Sequence, residues 1–271
     1  MPFADFGDVR IYHEVSGDGP RVLYISGTGS DLRRQPNVFA VPDIGSLTLA
    51  AYDHRLMGQS SIPETPQSMA DFAGDAERLL DHLGWDTAAV AGVSFGGMVA
   101  QHLALRVPHR VSRLVLCCTS PGGDGGASYP LHEFAGIGPD EYASALLKLS
   151  DRRRTAEWEA ANPEKAHKIR EFYAASARDN RADPVRRAAQ NRQFAARAAH
   201  DTWARLPELT MPVLIAAGRY DDVAPMDRQE NMLRVLPDAR LQVFEGGHLF
   251  MMEDPAAWPT IIRFLKGDTL D

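Results

Sequence analysis

The sequence predicts an open, mostly parallel, doubly wound α/β sheet with a helical insertion ahead of its last two strands. Three observations carry that prediction. Short, near-continuous apolar runs recur along the chain. Helix-sized amphipathic segments separate them. The alternation stops between residues 130 and 207. A strand buried on both faces shows no polar side, so it reads as a continuous apolar run. Strand–helix alternation then lays helices on both faces of the sheet.

The runs come in order as "VRIYHEV" (9–15), "RVLYISG" (21–27), "LTLAAYD" (47–53), "AAVAGVS" (88–94), "SRLVLCC" (112–118), "PVLIAAG" (212–218) and "LQVFEGG" (241–247). Between them, "SMADFAGDAERLLDHLG" (68–84) places Met69, Phe72, Ala76, Leu79, Leu80 and Leu83 on a helical period. Ser68 is its expected cap and Gly84 its stop. "FGGMVAQHLALRVP" (95–108) reads as a helix ended by Pro108, and helices are also expected over 227–239 and 254–266.

The stretch 130–207 is rich in Ala, Arg and Glu and reads as helices throughout. The expected organisation is a core domain formed by 1–129 and 208–271, with 130–207 as a helical cap inserted into it. The charge cluster "DRRR" (151–154) is expected to be a solvated helix face.

Apolar residues make up 44% and charged residues 24% of the 271, which excludes a disordered chain. A net charge of −7 argues against nucleic acid or an anionic membrane as partner. A homodimer stays open. Cys117 and Cys118 are adjacent at a strand end and read as structural thiols of a reducing compartment. The start, "MPFADFGDVRIYHEV", lacks a basic segment followed by an apolar one, and no run has the length of a membrane span. A cytoplasmic protein is expected. No metal-ligand spacing or dinucleotide fingerprint is visible, so neither metal nor cofactor is expected.

The chemistry centres on "VAGVSFGGMVA" (90–100). Gly92-Val93-Ser94-Phe95-Gly96 is a G-x-S-x-G turn between a strand and a helix, which lifts a serine above the C-terminal edge of a sheet. A serine hydroxyl needs a base, and a histidine base needs a carboxylate to hold its tautomer. On such a bend the acid and the histidine follow the serine in the chain. His248, in the Gly-rich segment after the last apolar run, satisfies that order. "LIAAGRYDDVAP" offers Asp221 and Asp222 as the acid, with Asp124 a third candidate. The developing oxyanion needs donors. These are expected from the backbone N–H of Phe95 and of Thr28, with Gly27 allowing close approach. Gly27, Met98, Leu249, Phe250 and Met251 are near the site in sequence and are expected to line the substrate pocket.

These residues resemble the α/β-hydrolase superfamily over nearly the whole chain. The resemblance is to the esterase and lactonase branch that includes 3-oxoadipate enol-lactonases and related carboxylesterases. "YDHRLMGQSS" (52–61) resembles that branch's Asp-x-Arg-Gly-x-Gly-x-Ser segment, with Leu56 in place of the first glycine. "AGVSFGGMVAQHLA" is similar to its nucleophile elbow, and "GGHLFMMEDPAAW" to its histidine loop and final helix. "AAGRYDDVAP" is similar to its acid loop, and this spacing selects Asp221. Ser26-Gly27 stands where many relatives carry His-Gly, and in this it is similar to the enol-lactonases, which carry serine there. Asp53, His54 and Arg55 are expected to be structural.

The resemblance implies a serine hydrolase that cleaves a small-molecule carboxylic ester or lactone through an acyl-enzyme. Alternatives on the same machinery are a cofactor-free perhydrolase and a C–C bond hydrolase. A ligand sensor on the same scaffold is the alternative from outside catalysis.

Overall fold

A computed structural model describes residues 2–269, apart from the side chains of residues 176 and 180–182. Eight strands form one sheet: β1 (Phe3–Asp5), β2 (Arg10–Ser16), β3 (Arg21–Ile25), β4 (Thr48–Tyr52), β5 (Ala88–Val93), β6 (Val111–Cys117), β7 (Val213–Gly218) and β8 (Ala239–Phe244). Their order is β1-β2-β4-β3-β5-β6-β7-β8. β1 pairs antiparallel with β2, and β2 with β4. Every other pairing is parallel. The order reverses direction around β3, and the C-terminal ends of β3 and β5 to β8 share one edge. In such sheets that edge is where loops gather into a site.

The helices are α1 (Met69–His82), α2 (Phe95–Arg106), α3 (Pro139–Leu149), α4 (Ala156–Ala161), α5 (Pro163–Ala182), α6 (Pro184–Ala198), α7 (Met226–Val235), α8 (Phe250–Glu253) and α9 (Ala257–Lys266). The apolar runs are strands because both of their faces are covered. Leu23, Val90, Leu114 and Ile215 pack with α1, α2 and α7. Their chain neighbours Val22, Ala89, Val115 and Leu214 pack on the other face with α9. Side chains alternate across a strand, so adjacent apolar residues serve two layers. β8 is an edge strand, and its burial alternates where β7 is buried throughout.

Ser68 caps α1 as its sequence predicts. Its Oγ accepts from the Asp71 N–H while Asp71 accepts from the Ser68 N–H at 2.7 Å. This reciprocal box satisfies two otherwise orphaned donors and is worth about 1 kcal/mol. Gly84 closes the helix at φ +64°. Between β6 and β7 the chain forms α3 to α6, which hold a cluster of their own around Leu131, Tyr142, Leu146, Ala177 and Phe194. Among the described residues, no helix is long and apolar enough to cross a membrane.

The expectation for 151–154 is corrected. These residues form a turn after α3, with Asp151 and Arg154 buried. Arg154 pairs with Glu253 and donates to Ser150 Oγ at 2.8 Å. A charge run reads as solvent-facing only when its partners are invisible, and here Glu253 lies 99 residues away.

Candidate active site

Ser94 joins β5 to α2 at φ 54°, ψ −115°, a conformation that non-glycine residues rarely adopt. The flanking glycines make the bend sterically feasible. A Cβ on Gly92 would collide with the Gly96 carbonyl, and one on Gly96 with the Ile25 carbonyl. Strand, bend and helix are therefore closer together than any side chain permits. The bend is held by Ser94 N–H to the Cys117 carbonyl at 2.8 Å, and by Thr119 Oγ1 donating to the Ser94 carbonyl at 2.8 Å.

The loops after β7 and β8 bring Asp221 and His248 to this serine. His248 Nε2 lies 3.1 Å from Ser94 Oγ, and its Nδ1 lies 2.7 Å from Asp221 Oδ2. An ionised carboxylate only accepts, so Nδ1 carries the ring proton and Nε2 is free to accept from the serine hydroxyl. Asp221 is itself fixed. Its Oδ1 accepts from Val223 N–H at 2.7 Å and Ala224 N–H at 3.0 Å, and the residue is 1% exposed. Asp222 points elsewhere and pairs with Arg152 at 3.2 Å. Asp124 is exposed in a 3-10 turn. Of the three acids in the sequence, the structure brings only Asp221 to the histidine.

The histidine loop rests on the turn after α3. His248 N–H donates to the Ser150 carbonyl at 2.6 Å. Glu253 accepts from Gly247 N–H at 2.9 Å and also pairs with Arg154. Asp222 N–H donates to the Leu149 carbonyl at 3.2 Å, so the same turn touches the acid loop. Nothing in the sequence announced this support.

The loop after β3 passes beside the serine. A Cβ on Gly27 would lie 3.7 Å from Ser94 Cβ. Among the described residues, no hydrogen bond occupies the N–H of Thr28 or of Phe95. Both are therefore free to donate. His54 Nε2 donates to the Ser26 carbonyl at 2.9 Å and holds the start of this loop. Burial lowers His54 to about 4, so the ring is neutral near pH 7. Its edge packs on Phe72 and Phe95, under the bend. Asp53 accepts from Leu32 N–H and Gln59 N–H, each at 2.8 Å. Arg55 forms a fork onto Asp75, with both side chains buried. All three residues of this segment are bonded within the scaffold.

The expected pocket residues separate. Gly27 is beside Ser94, as above. Met98 is buried in the cluster that includes Phe95. Leu249 is half-buried at the start of α8. Phe250 and Met251 are corrections. Phe250 is fully buried and stacks on Phe244 with ring centroids 5.1 Å apart. Met251 lines a surface groove with Pro42, Trp258 and Ile262. The reason is that α8 begins directly after the histidine loop and turns these side chains onto the layer formed with α9.

Cys117 and Cys118 are free and buried, and burial pushes the Cys117 thiol up to about 12. His102 Nε2 lies 3.1 Å from His200 Nδ1, joining α2 to the segment after α6.

A family model described as the alpha/beta hydrolase fold matches residues 20–255. The chain belongs to the α/β-hydrolase fold family. Within it, the chain is 30% identical to the RutD protein of Azorhizobium caulinodans, whose name ascribes to it a carbamate hydrolase activity; the match covers 99% of each chain. It is 25% identical to 3-oxoadipate enol-lactonase 2 of Acinetobacter baylyi, over 95% of this chain and 96% of that one. Among solved structures, the enol-lactonase of Burkholderia xenovorans LB400 has the same α/β-hydrolase fold, with a TM-score of 0.78 at 23% identity, covering 98% of this chain and all of that one.

Proposed function

We propose that this protein hydrolyses a carboxylic ester or lactone with Ser94 as nucleophile. The observation that carries the reading is the unbroken relay from Ser94 Oγ through His248 to Asp221, at 3.1 and 2.7 Å, beneath free backbone donors. His248 Nε2 takes the Ser94 proton as Oγ bonds to the acyl carbon. Asp221 holds the ring and stabilises the imidazolium that forms. The N–H groups of Thr28 and Phe95 hold the oxyanion. His248 then protonates the leaving alkoxide, the acyl-enzyme remains, and the histidine draws a proton from water for the second attack.

The names of the relatives support this reading, since carbamate hydrolase and enol-lactonase both denote attack at an acyl carbon. Residues 130–207 act as the cap that selects the substrate. The test uses p-nitrophenyl esters of short acids. Ser94→Ala should lose roughly 10³-fold or more in kcat. Asp222→Asn, at an exposed ion pair, should stay within about twofold. Full turnover by Ser94→Ala would remove the assignment.

A further inference from the structure

Helix α6 lies across the catalytic edge of the sheet. Its residues reach three different loops there. Arg186 donates to the Gly58 carbonyl after β4 at 3.2 Å. Arg197 donates to the Tyr129 carbonyl at 2.7 Å and to Ser128 Oγ at 2.6 Å, in the segment after β6. Between them, Gln193 Oε1 accepts from Gly29 N–H at 3.0 Å, in the loop after β3.

Gln193 differs from Gln101 and Gln229, two other buried glutamines, in its amide nitrogen. Gln101 Nε2 donates to two carbonyls, at 3.1 Å each. Gln229 Nε2 donates to the Thr119 carbonyl at 2.5 Å. Gln193 is 0% exposed, yet its Nε2 has no partner among the described residues. The amide orientation is not arbitrary, because only the carboxamide oxygen can accept from Gly29 N–H. On either side of Gly29, Thr28 Oγ1 and Ser30 Oγ are also buried without partners. Buried polar groups are normally paired, and three unpaired ones gather at this one contact between α6 and the loop after β3.

Sheet order says which part of the substrate they face. β3 borders β5 on the side away from β7 and β8, which carry Asp221 and His248. The leaving group must lie toward His248, which protonates it. The Gln193 contact is on the opposite flank, next to Thr28, whose N–H is assigned above to the oxyanion, and the acyl group is the part of the substrate left to that flank.

We propose that Gln193 Nε2, with the Thr28 and Ser30 hydroxyls, recognises an oxygen on the acyl chain close to the scissile carbonyl. The preferred substrates are then oxygen-substituted acyl esters or lactones rather than plain alkyl ones. This rests on the ester or lactone reading above.

The test compares p-nitrophenyl methoxyacetate with p-nitrophenyl butyrate, which differ by one ether oxygen in place of a methylene. The ratio of kcat/KM values is divided by the ratio for hydroxide, which removes intrinsic reactivity. Wild type should exceed hydroxide by roughly tenfold, the worth of one or two buried hydrogen bonds. Gln193→Met should lose most of that excess. Loss of the Gly29 contact in this variant slows both esters and cancels in the ratio. A wild-type ratio no greater than that of hydroxide overturns the proposal, as does an unchanged ratio in a folded Gln193→Met. If the variant does not fold, the wild-type ratio decides. If wild type hydrolyses neither ester, the ester reading itself fails and takes this one with it. If it hydrolyses both without preference, only the acyl proposal is lost.

Discussion

Leu56 carries a backbone strain that its side chain partly conceals. It sits at φ 77° while being 1% exposed. The left-handed region costs a non-glycine residue roughly 1–2 kcal/mol. The buried side chain offsets this, since truncating a core leucine costs about 2–5 kcal/mol. The two effects are separable by substitution. Leu56→Ala loses the packing and keeps the strain. Leu56→Gly loses the packing and relieves the strain. The glycine variant should therefore be more stable than the alanine variant by about 1 kcal/mol in urea unfolding, reversing the usual order within regular structure. Equal stabilities would mean the backbone relaxes at this position. At this scale the sequence was informative where a residue is unusual for a local reason. Ser94 among its glycines and His248 after its Gly pair were legible, because the backbone needs those glycines there. Gln193 was not, because its partner is a backbone N–H 164 residues away.

Among the elements, the turn after α3 is the one whose role most exceeds its length. It receives the His248 N–H, and through Arg154 it holds Glu253, which in turn holds the Gly247 N–H. Arg154→Met keeps the apolar stem and removes the charge. It should lower stability by about 1–3 kcal/mol, through the polar groups left unpaired. It should also lower kcat more than it raises KM, because His248 is displaced relative to Ser94 while the acyl side is untouched. Steady-state kinetics on one ester separates the two; a rise in KM alone would assign the turn to substrate binding. The strands and the α1, α2 and α9 helices were readable from apolar pattern and caps. β1 was not, being three residues long at the sheet edge. The buried charges at 151 and 154 were misread for a related reason: composition shows that a residue is charged, and only the tertiary fold shows what faces it.

For the whole molecule, buried histidines set the response to acid. Burial lowers His54 and His102 to about 4 and His200 to about 3, from 6.5. Each is neutral in the fold and protonates in the unfolded chain as pH drops below about 6.5. The unfolded state then binds more protons, so stability falls with pH between about 6.5 and 4. Asp53 opposes this. Burial raises it to about 6, which favours the fold as pH falls from 6 towards its ordinary 3.8. Burial lowers His13 as well, so four histidines oppose one carboxylate and dominate. The thermal midpoint should rise steadily from pH 4 to pH 6.5, and His200→Gln should flatten the slope. A midpoint independent of pH in this window would contradict the burial argument.

The order of the strands adds one more consequence. Ser94 hangs from β5, while Asp221 and His248 hang from β7 and β8, with β6 in between. The contacts from Ser94 to His248 and on to Asp221 thus form only if two successive parallel pairings, Val93 with Cys117 and Cys117 with Ala216, are both in step. A slip of one residue in either would move the halves apart by about 3.3 Å and break the 3.1 Å contact. With Ser94 as the nucleophile proposed above, labelling of that one hydroxyl by a covalent serine probe should therefore report whether the middle of the sheet has assembled in register.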